Sequence, residues 1–238
     1  MNADDTGALR RRPDAGGYAR GEETRARIIA AALKVFGDQG YARASTRQIA
    51  AEAGVNPPAL QYYFDSKEGL HRACGQFIID RVNQALAPTL EAAEAAVATK
   101  TPERALEALT DLLDALVDLA LTSTDTQGRW RFMAHGQTDG AGPAFALFRD
   151  DLLRPVHAAV CRLVGVVIGR APADEETRLR TTTVLSQLKA FQINYENTLV
   201  VMAWSDYGGG RIAAIKSVLR AHTRAALTAA GMDSGQHD

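Results

Sequence analysis

Gln61 and Tyr62 stand side by side in a stretch whose other members are small, apolar or proline. A glutamine amide can pair with an adenine edge in a major groove, and a tyrosine hydroxyl can donate to a phosphate. Ala59 and Pro57-Pro58 have the size and apolar character to touch a thymine methyl. Leu60 and Phe64 are four apart and share one side of a helix, which leaves Pro57, Pro58, Gln61 and Tyr62 on the other. That outward side holds no acid. The chemistry on offer is contact with a nucleic acid.

Such side chains need stiff carriers, and the flanking residues supply them. Ser45-Thr46-Arg47-Gln48 has a reciprocal capping pattern: the Ser45 hydroxyl accepts from the Gln48 amide while the Gln48 side chain reaches back. The helix it opens turns Ile49, Ala50 and Ala53 inward and stops at Gly54. Gly54-Val55-Asn56 makes a sharp turn, with Val55 plugging the corner between two helices. Asn56 caps the second helix, and Pro57 and Pro58 occupy first-turn positions where a missing N–H costs nothing. Asp65-Ser66-Lys67-Glu68 starts another helix with an acceptor cap and an acidic residue in its first turn. Upstream, a helix over about Glu22–Phe36 puts Ile28, Ile29, Ala32, Leu33 and Phe36 on one face, and Gly37–Gly40 ends it. The pattern over 22–68 is a helix-turn-helix domain. Its first short helix lies across a phosphate backbone and its second presents a face to the groove.

Thr24-Arg25 through Leu70 resembles the N-terminal domain of TetR-family transcriptional repressors. The matching residues are Ile28-Ile29-Ala30-Ala31-Ala32, Phe36, Gly40-Tyr41, Thr46, Ile49-Ala50, Ala53-Gly54-Val55, Leu60, Tyr62, Phe64 and Ser66-Lys67-Glu68. The resemblance covers about 47 of the 238 residues. It implies a homodimer on a near-palindromic double-stranded DNA operator, released when a small-molecule effector enters a C-terminal helical domain. It further implies phosphate contacts by Thr46 and Lys67 and a backbone contact by Tyr62. Thr24, Arg25, Ser45 and Arg47 complete the expected DNA-facing set. The chain departs from the common pattern at Pro57-Pro58, where Lys-Gly or similar is usual, and at Gln61 and Tyr63, where Tyr and His are usual. The prolines remove two backbone donors, so the operator sequence does not transfer.

Composition narrows the class. Over 238 residues the formal net charge is -1, with 46% hydrophobic and 23% charged residues, values of a folded protein. Residues 1–70 hold ten basic and nine acidic side chains. Affinity for DNA must then come from placed contacts by a dimer, not from a general field. Residues 1–21, rich in Asp, Arg, Gly and Ala, read as a flexible tail whose Arg10-Arg11-Arg12 either reach phosphate or stay solvated. Cys74 and Cys161 are too few for a disulfide framework, and no apolar run reaches the roughly 20 residues of a membrane span. With no signal segment either, a cytoplasmic protein with no membrane partner is expected. No nucleophile elbow, P-loop, dinucleotide fingerprint or HExxH is present, so the chain reads as a non-enzyme without a cofactor.

Two pairs leave an alternative open. His71/Cys74 and His157/Cys161 are spaced to put a nitrogen and a sulfur on one helical face, and together could supply a tetrahedral zinc set. That would make a metal-responsive regulator. An architectural DNA-binding protein with no effector is a further alternative.

Beyond residue 68 the chain reads as all-α: an effector-binding and dimerisation domain over 69–230, then a tail over 231–238. Helices are expected over about 70–98, from Pro102, over 143–168 with a kink or division at Pro155, over 174–204 and over 211–230. Phe145 to Leu163 is similar to a TetR subgroup whose C-terminal domain has no characterised function. Val184, Leu188, Phe191, Ile215, Val218 and Leu219 form apolar stripes expected to make the dimer seam, a role shared with intrachain core. Trp130, Arg131, His135, Lys189, Gln192 and Tyr195, polar or aromatic among apolar neighbours, are the expected effector pocket.

Overall fold

The computed structural model describes residues 15–122, 131–133 and 142–233, and every regular element among them is helical. Helices α1 (Ala15–Arg43), α2 (Thr46–Ala53) and α3 (Pro57–Phe64) form an N-terminal unit, and α4 (Lys67–Thr99) leads from it into the body. α5 (Pro102–Leu121) folds back along α4. The body is completed by α6 (Phe145–Phe148), a π-helical turn over Arg149–Leu153, α7 (Arg154–Ile168), α8 (Glu175–Ile193), α9 (Tyr195–Met202) and α10 (Arg211–Asp233).

One core runs through both parts. Ile28, Ile29, Ala32 and Phe36 of α1 meet Ile49 and Ala50 of α2, Leu60 and Phe64 of α3 and Leu70 of α4. The same core continues through Ile78, Ile79, Leu109, Leu112, Leu163 and Ile168 in α4, α5 and α7. Each large side chain so buried contributes about 1.5–3 kcal/mol. α4 is the spine common to the two parts. A second cluster of Val117, Ala120, Leu188, Tyr207, Ile215 and Leu219 joins α5, α8 and α10.

Four expectations change in the structure, three of them at helix ends. The tail expected over 1–21 ends sooner, because Ala15–Gly21 belongs to α1. Extending a helix whose next turns are already anchored in a core costs little, and the Thr24 hydroxyl donates to the Arg20 carbonyl at 2.9 Å. Residues 1–14, including Arg10-Arg11-Arg12, lie outside the described residues, as do 234–238. α1 also runs past Gly37 and breaks at Gly40, where φ of 75° is a state that suits a residue without Cβ. At the other end α10 continues to Asp233, past the expected stop at 230.

The helix expected over 174–204 is two helices, separated at Asn194. The Tyr207 hydroxyl donates to the Phe191 carbonyl at 3.1 Å, taking the acceptor that an unbroken helix would offer to the Tyr195 N–H. The Tyr195 ring packs on Tyr207 at 4.7 Å. The helix over 143–168 is divided as Pro155 implies: Pro155 lies in the first turn of α7, preceded by the π-helical turn.

Candidate nucleic-acid interface

Local hydrogen bonds build α2 and α3 as the sequence implies. The Gln48 N–H donates to Ser45 Oγ at 3.2 Å and the Ser45 N–H to Gln48 Oε1 at 3.0 Å. Gly54 is left-handed (φ 64°, ψ 37°) and ends α2, with the Val55 N–H donating to the Ala50 carbonyl at 3.0 Å. Val55 is half-buried against the core. Asn56 Oδ1 accepts from the Ala59 N–H at 3.2 Å, opening α3. Ser66 Oγ accepts from the Gly69 N–H at 3.0 Å, opening α4. Gly69 was not read from the sequence: a Cβ there would overlap the Phe64 carbonyl oxygen, so the end of α3 presses directly on the first turn of α4. The Leu60/Phe64 stripe signals burial of α3 but not how close α4 comes.

α3 divides as its spacing demands. Leu60 and Phe64 are buried, whereas Gln61, Pro57 and Pro58 are exposed and Tyr62 is 83% exposed. The Tyr62 ring stands edge-on to Tyr63 at 5.1 Å, which holds it upright. Ala59 is half-buried, not fully outward, because it shares the inner edge of α3. Ser45, Thr46 and Arg47 are exposed at the start of α2, where unpaired N–H groups carry partial positive charge. Lys34 and Glu52 pair at 2.6 Å and tie α1 to α2 at the surface; the hydrogen bond first, and the carboxylate charge second, raise the Lys34 pKa.

Two of the expected cations also make contacts within the chain. Arg25 is half-buried with its guanidinium 5.3 Å from the Phe64 ring centre. Lys67 is half-buried, its Nζ 4.5 Å from the Tyr41 ring centre and donating to the Ala42 carbonyl at 3.4 Å. Burial lowers its pKa. Thr24 is half-buried with its hydroxyl spent on Arg20.

The described body residues lie in several separate surroundings. Trp130 and His135 lie outside the described residues. Arg131 is exposed and pairs with Asp38 of α1 at 3.3 Å. Lys189 is exposed, and Gln192 and Tyr195 are half-buried near the α9 corner. Arg131 thus belongs to the boundary with the N-terminal unit and Tyr195 to the opposite packing partner, Tyr207. Of the six seam residues, Val184, Leu188, Ile215 and Leu219 are buried within this one chain, Phe191 is half-buried, and Val218 alone is exposed. Heptad spacing marks a stripe as covered without saying by what.

Three of the four residues in the His/Cys pairs have hydrogen-bond partners within the fold. His71 Nδ1 accepts from the Ala144 N–H at 3.3 Å, the Cys74 thiol faces the Ile29 carbonyl at 3.9 Å, and the Cys161 thiol donates to the Pro172 carbonyl at 3.2 Å. Burial pushes the Cys74 thiol pKa up, away from the thiolate a metal requires. Burial first, and the Lys67 charge second, lower the His71 pKa to about 4. Among the described residues no three His, Cys, Asp or Glu side chains converge.

Residues 28–74 match the family model of bacterial regulatory proteins, tetR family. Residues 105–230, more than half of the chain, match the C-terminal domain of the HTH-type transcriptional dual regulator CecR. The chain is 32% identical to the CecR dual regulator of Shigella flexneri over 205 residues, 85% of this chain and 91% of that protein. This chain belongs to the TetR family. Its body is of the CecR type, which is more definite than the subgroup the sequence resembled.

Further similarities agree with TetR membership. The HTH-type transcriptional regulator SrpR of Pseudomonas putida is 51% identical over 49 residues, 21% of this chain and 23% of that protein. Among solved structures, a TetR transcription regulator from Haloarcula marismortui superposes with a TM-score of 0.58 at 18% identity, over 86% of this chain and 98% of that one. AmtR of Mycobacterium smegmatis superposes with a TM-score of 0.56 at 21% identity, over 94% and 96%. These two share the fold. The protein is a TetR-family transcriptional regulator with a helix-turn-helix DNA-binding domain. No described helix is long and apolar enough to cross a membrane.

Proposed function

We propose that this TetR-family regulator binds a near-palindromic double-stranded operator as a homodimer, with α3 in the major groove, and that a small-molecule effector held in the body releases it. The observation that carries the reading is the division of α3: Leu60 and Phe64 buried, Gln61 and Tyr62 turned out beside each other. Gln61 pairs with an adenine edge and Tyr62 donates to a phosphate. Thr46 and Arg47 meet phosphate at the positive end of α2. Arg25 and Lys67 contribute charge from fixed positions behind α3 and α4. Pro57 and Pro58 add apolar contact and no backbone donors.

The dimer surface we assign lies on the outward faces of α8 and α10. Leu179 is 62% and Val218 48% exposed, and Ala214, Ala221 and Ala225 are exposed in line with Val218 along α10. Small residues let helices approach closely, and a twofold axis repeats the same patch on both copies. Val200 and Val201, 80% and 82% exposed on α9, extend the apolar surface. The two recognition helices must sit about one helical turn of DNA apart, roughly 34 Å. An effector that favours another arrangement of the body changes that separation and breaks simultaneous engagement.

The relative from Shigella flexneri is named a dual regulator, which supports both repression and activation here, with action in the cytoplasm where the DNA lies. The near-balanced charge of residues 1–70 weighs against an architectural role. Selection of bound sequences from a random duplex pool tests the reading. An inverted repeat with half-sites 10–10.5 base pairs apart, or a multiple of that spacing, is the expected result. A single asymmetric site, or a monomer in solution at working concentration, would overturn the dimer. Competition by random DNA equal to that by the selected sequence would replace it with the architectural reading.

A further inference from the structure

We propose that His71 is a positioning residue: with Gly75 it forms a socket on α4 that seats the Gly142–Phe148 segment, and this joint sets the angle of the α2–α3 pair relative to the body. The consequence for DNA rests on the operator reading above. The joint itself does not.

His71 sits one turn into α4 and is 4% exposed. Its ring is packed by Phe36 and Tyr41 of α1, at 4.9 and 4.8 Å, and by Phe132 of the body, at 4.5 Å. On its open side, Nδ1 accepts the Ala144 N–H, a bond spanning 73 residues of sequence. Gly142 lies against the same ring, where a Cβ would come within 3.0 Å of Cε1. One turn further along α4, a Cβ on Gly75 would lie 2.6 Å from the Ala144 Cβ. Ala144 therefore occupies the space a side chain at position 75 would need. The Arg131–Asp38 pair bridges the body to α1 a second time.

The body thus touches α1 and the first turns of α4 directly, not through the length of α4 alone. The contacts are close-packed, so a displacement of Phe132 or Ala144 has to move α1 or α4 with it. An apolar residue at 71 would fill the aromatic box as well as histidine does. What it would not do is accept the buried Ala144 N–H, whose loss carries the cost of an unpaired donor. The neutral imidazole, held deprotonated by burial, keeps that lone pair available.

The test uses the full chain with His71→Leu, His71→Asn, Gly75→Ala and the exposed-pair variant Arg131→Gln. Hydrogen exchange reads the joint, and binding to the selected palindrome and to a duplex with one half-site reads its effect. With His71→Leu and Gly75→Ala, exchange over 142–148 rises while that over α2 and α3 stays at the wild-type level. Affinity for the palindrome falls about tenfold, within the range of typical coupling between sites, and affinity for the half-site stays within twofold. His71→Asn, whose Oδ1 offers an acceptor near the place of Nδ1, restores most of the loss, and Arg131→Gln shows the same pattern at smaller size. Unchanged exchange over 142–148 in both socket variants, or equal loss on palindrome and half-site, would overturn the proposal. If the wild type selects no palindrome, the operator reading fails by itself and the exchange result still decides the joint. If His71→Leu does not fold, Arg131→Gln with unchanged exchange and unchanged palindrome binding overturns it.

Discussion

The DNA-binding half and the body hold their helices by different means. α2, α3 and α4 each begin at a side chain that accepts a hydrogen bond from the first turn, from Ser45, Asn56 and Ser66. α5, α6, α7 and α9 begin with no side-chain cap bond, and Asp174 before α8 is the exception. A cap contributes about 1 kcal/mol and acts within three residues. The body helices are placed by burial and by long-range bonds such as Tyr207 to Phe191. The recognition half is therefore stiff on its own terms, while the body takes its arrangement from contacts that a bound molecule can bias.

Gly69→Ala should break this contrast most strongly, because the added Cβ meets the Phe64 backbone in the half held by local bonds. Overpacking against backbone is expected to cost about 3 kcal/mol, read as a lowered urea midpoint together with lost DNA binding. A full-length protein with an unshifted midpoint would show that α3 and α4 are not pressed together. The next effect is pH. An unfolded histidine titrates near 6.5, whereas folded His71 lies at about 4. Between those values the unfolded state binds more protons, so stability falls as pH falls through that window. The loss approaches about 3 kcal/mol once pH is below the folded value, and His71→Asn should flatten the slope. Equal slopes in both proteins would place the titration elsewhere.

Gln61→Ala and Tyr62→Ala sharpen the contrast from the surface side. Each should weaken operator binding by about 1–3 kcal/mol and leave the unfolding midpoint within about 0.5 kcal/mol. A stability loss matching the binding loss would mean that these side chains hold the fold. Asn56→Ala is the smallest change: about 1 kcal/mol of stability, from loss of the Oδ1 cap while the Ala59 N–H keeps the Asn56 carbonyl at 3.0 Å. Calorimetry that finds no change would remove the cap from the account.

The recognition half was legible because its information is short-range. The Ser45–Gln48 box, the left-handed Gly54 and the Asn56 cap all join residues three or four apart, and each appears as its spacing implies. Lys67 was less legible: its position at a helix start gave no sign of the Tyr41 ring and the Ala42 carbonyl, 25 residues back, that its ammonium also meets. In the body, the single helix expected over 174–204 gave no sign of the Asn194 break, beside which the Tyr207 hydroxyl reaches the Phe191 carbonyl from 16 residues away.

From the chain alone, then, came the all-helical class, the paired short helices and the outward glutamine and tyrosine, because periodicity and capping are properties of neighbours along a backbone. Folding decided which apolar stripes stay inside one chain. Val218 and Leu219 are adjacent in sequence, yet one is 48% exposed and the other 5%. A helix turns about 100° per residue, and only the partners packed around α10 determine which of those directions meets water.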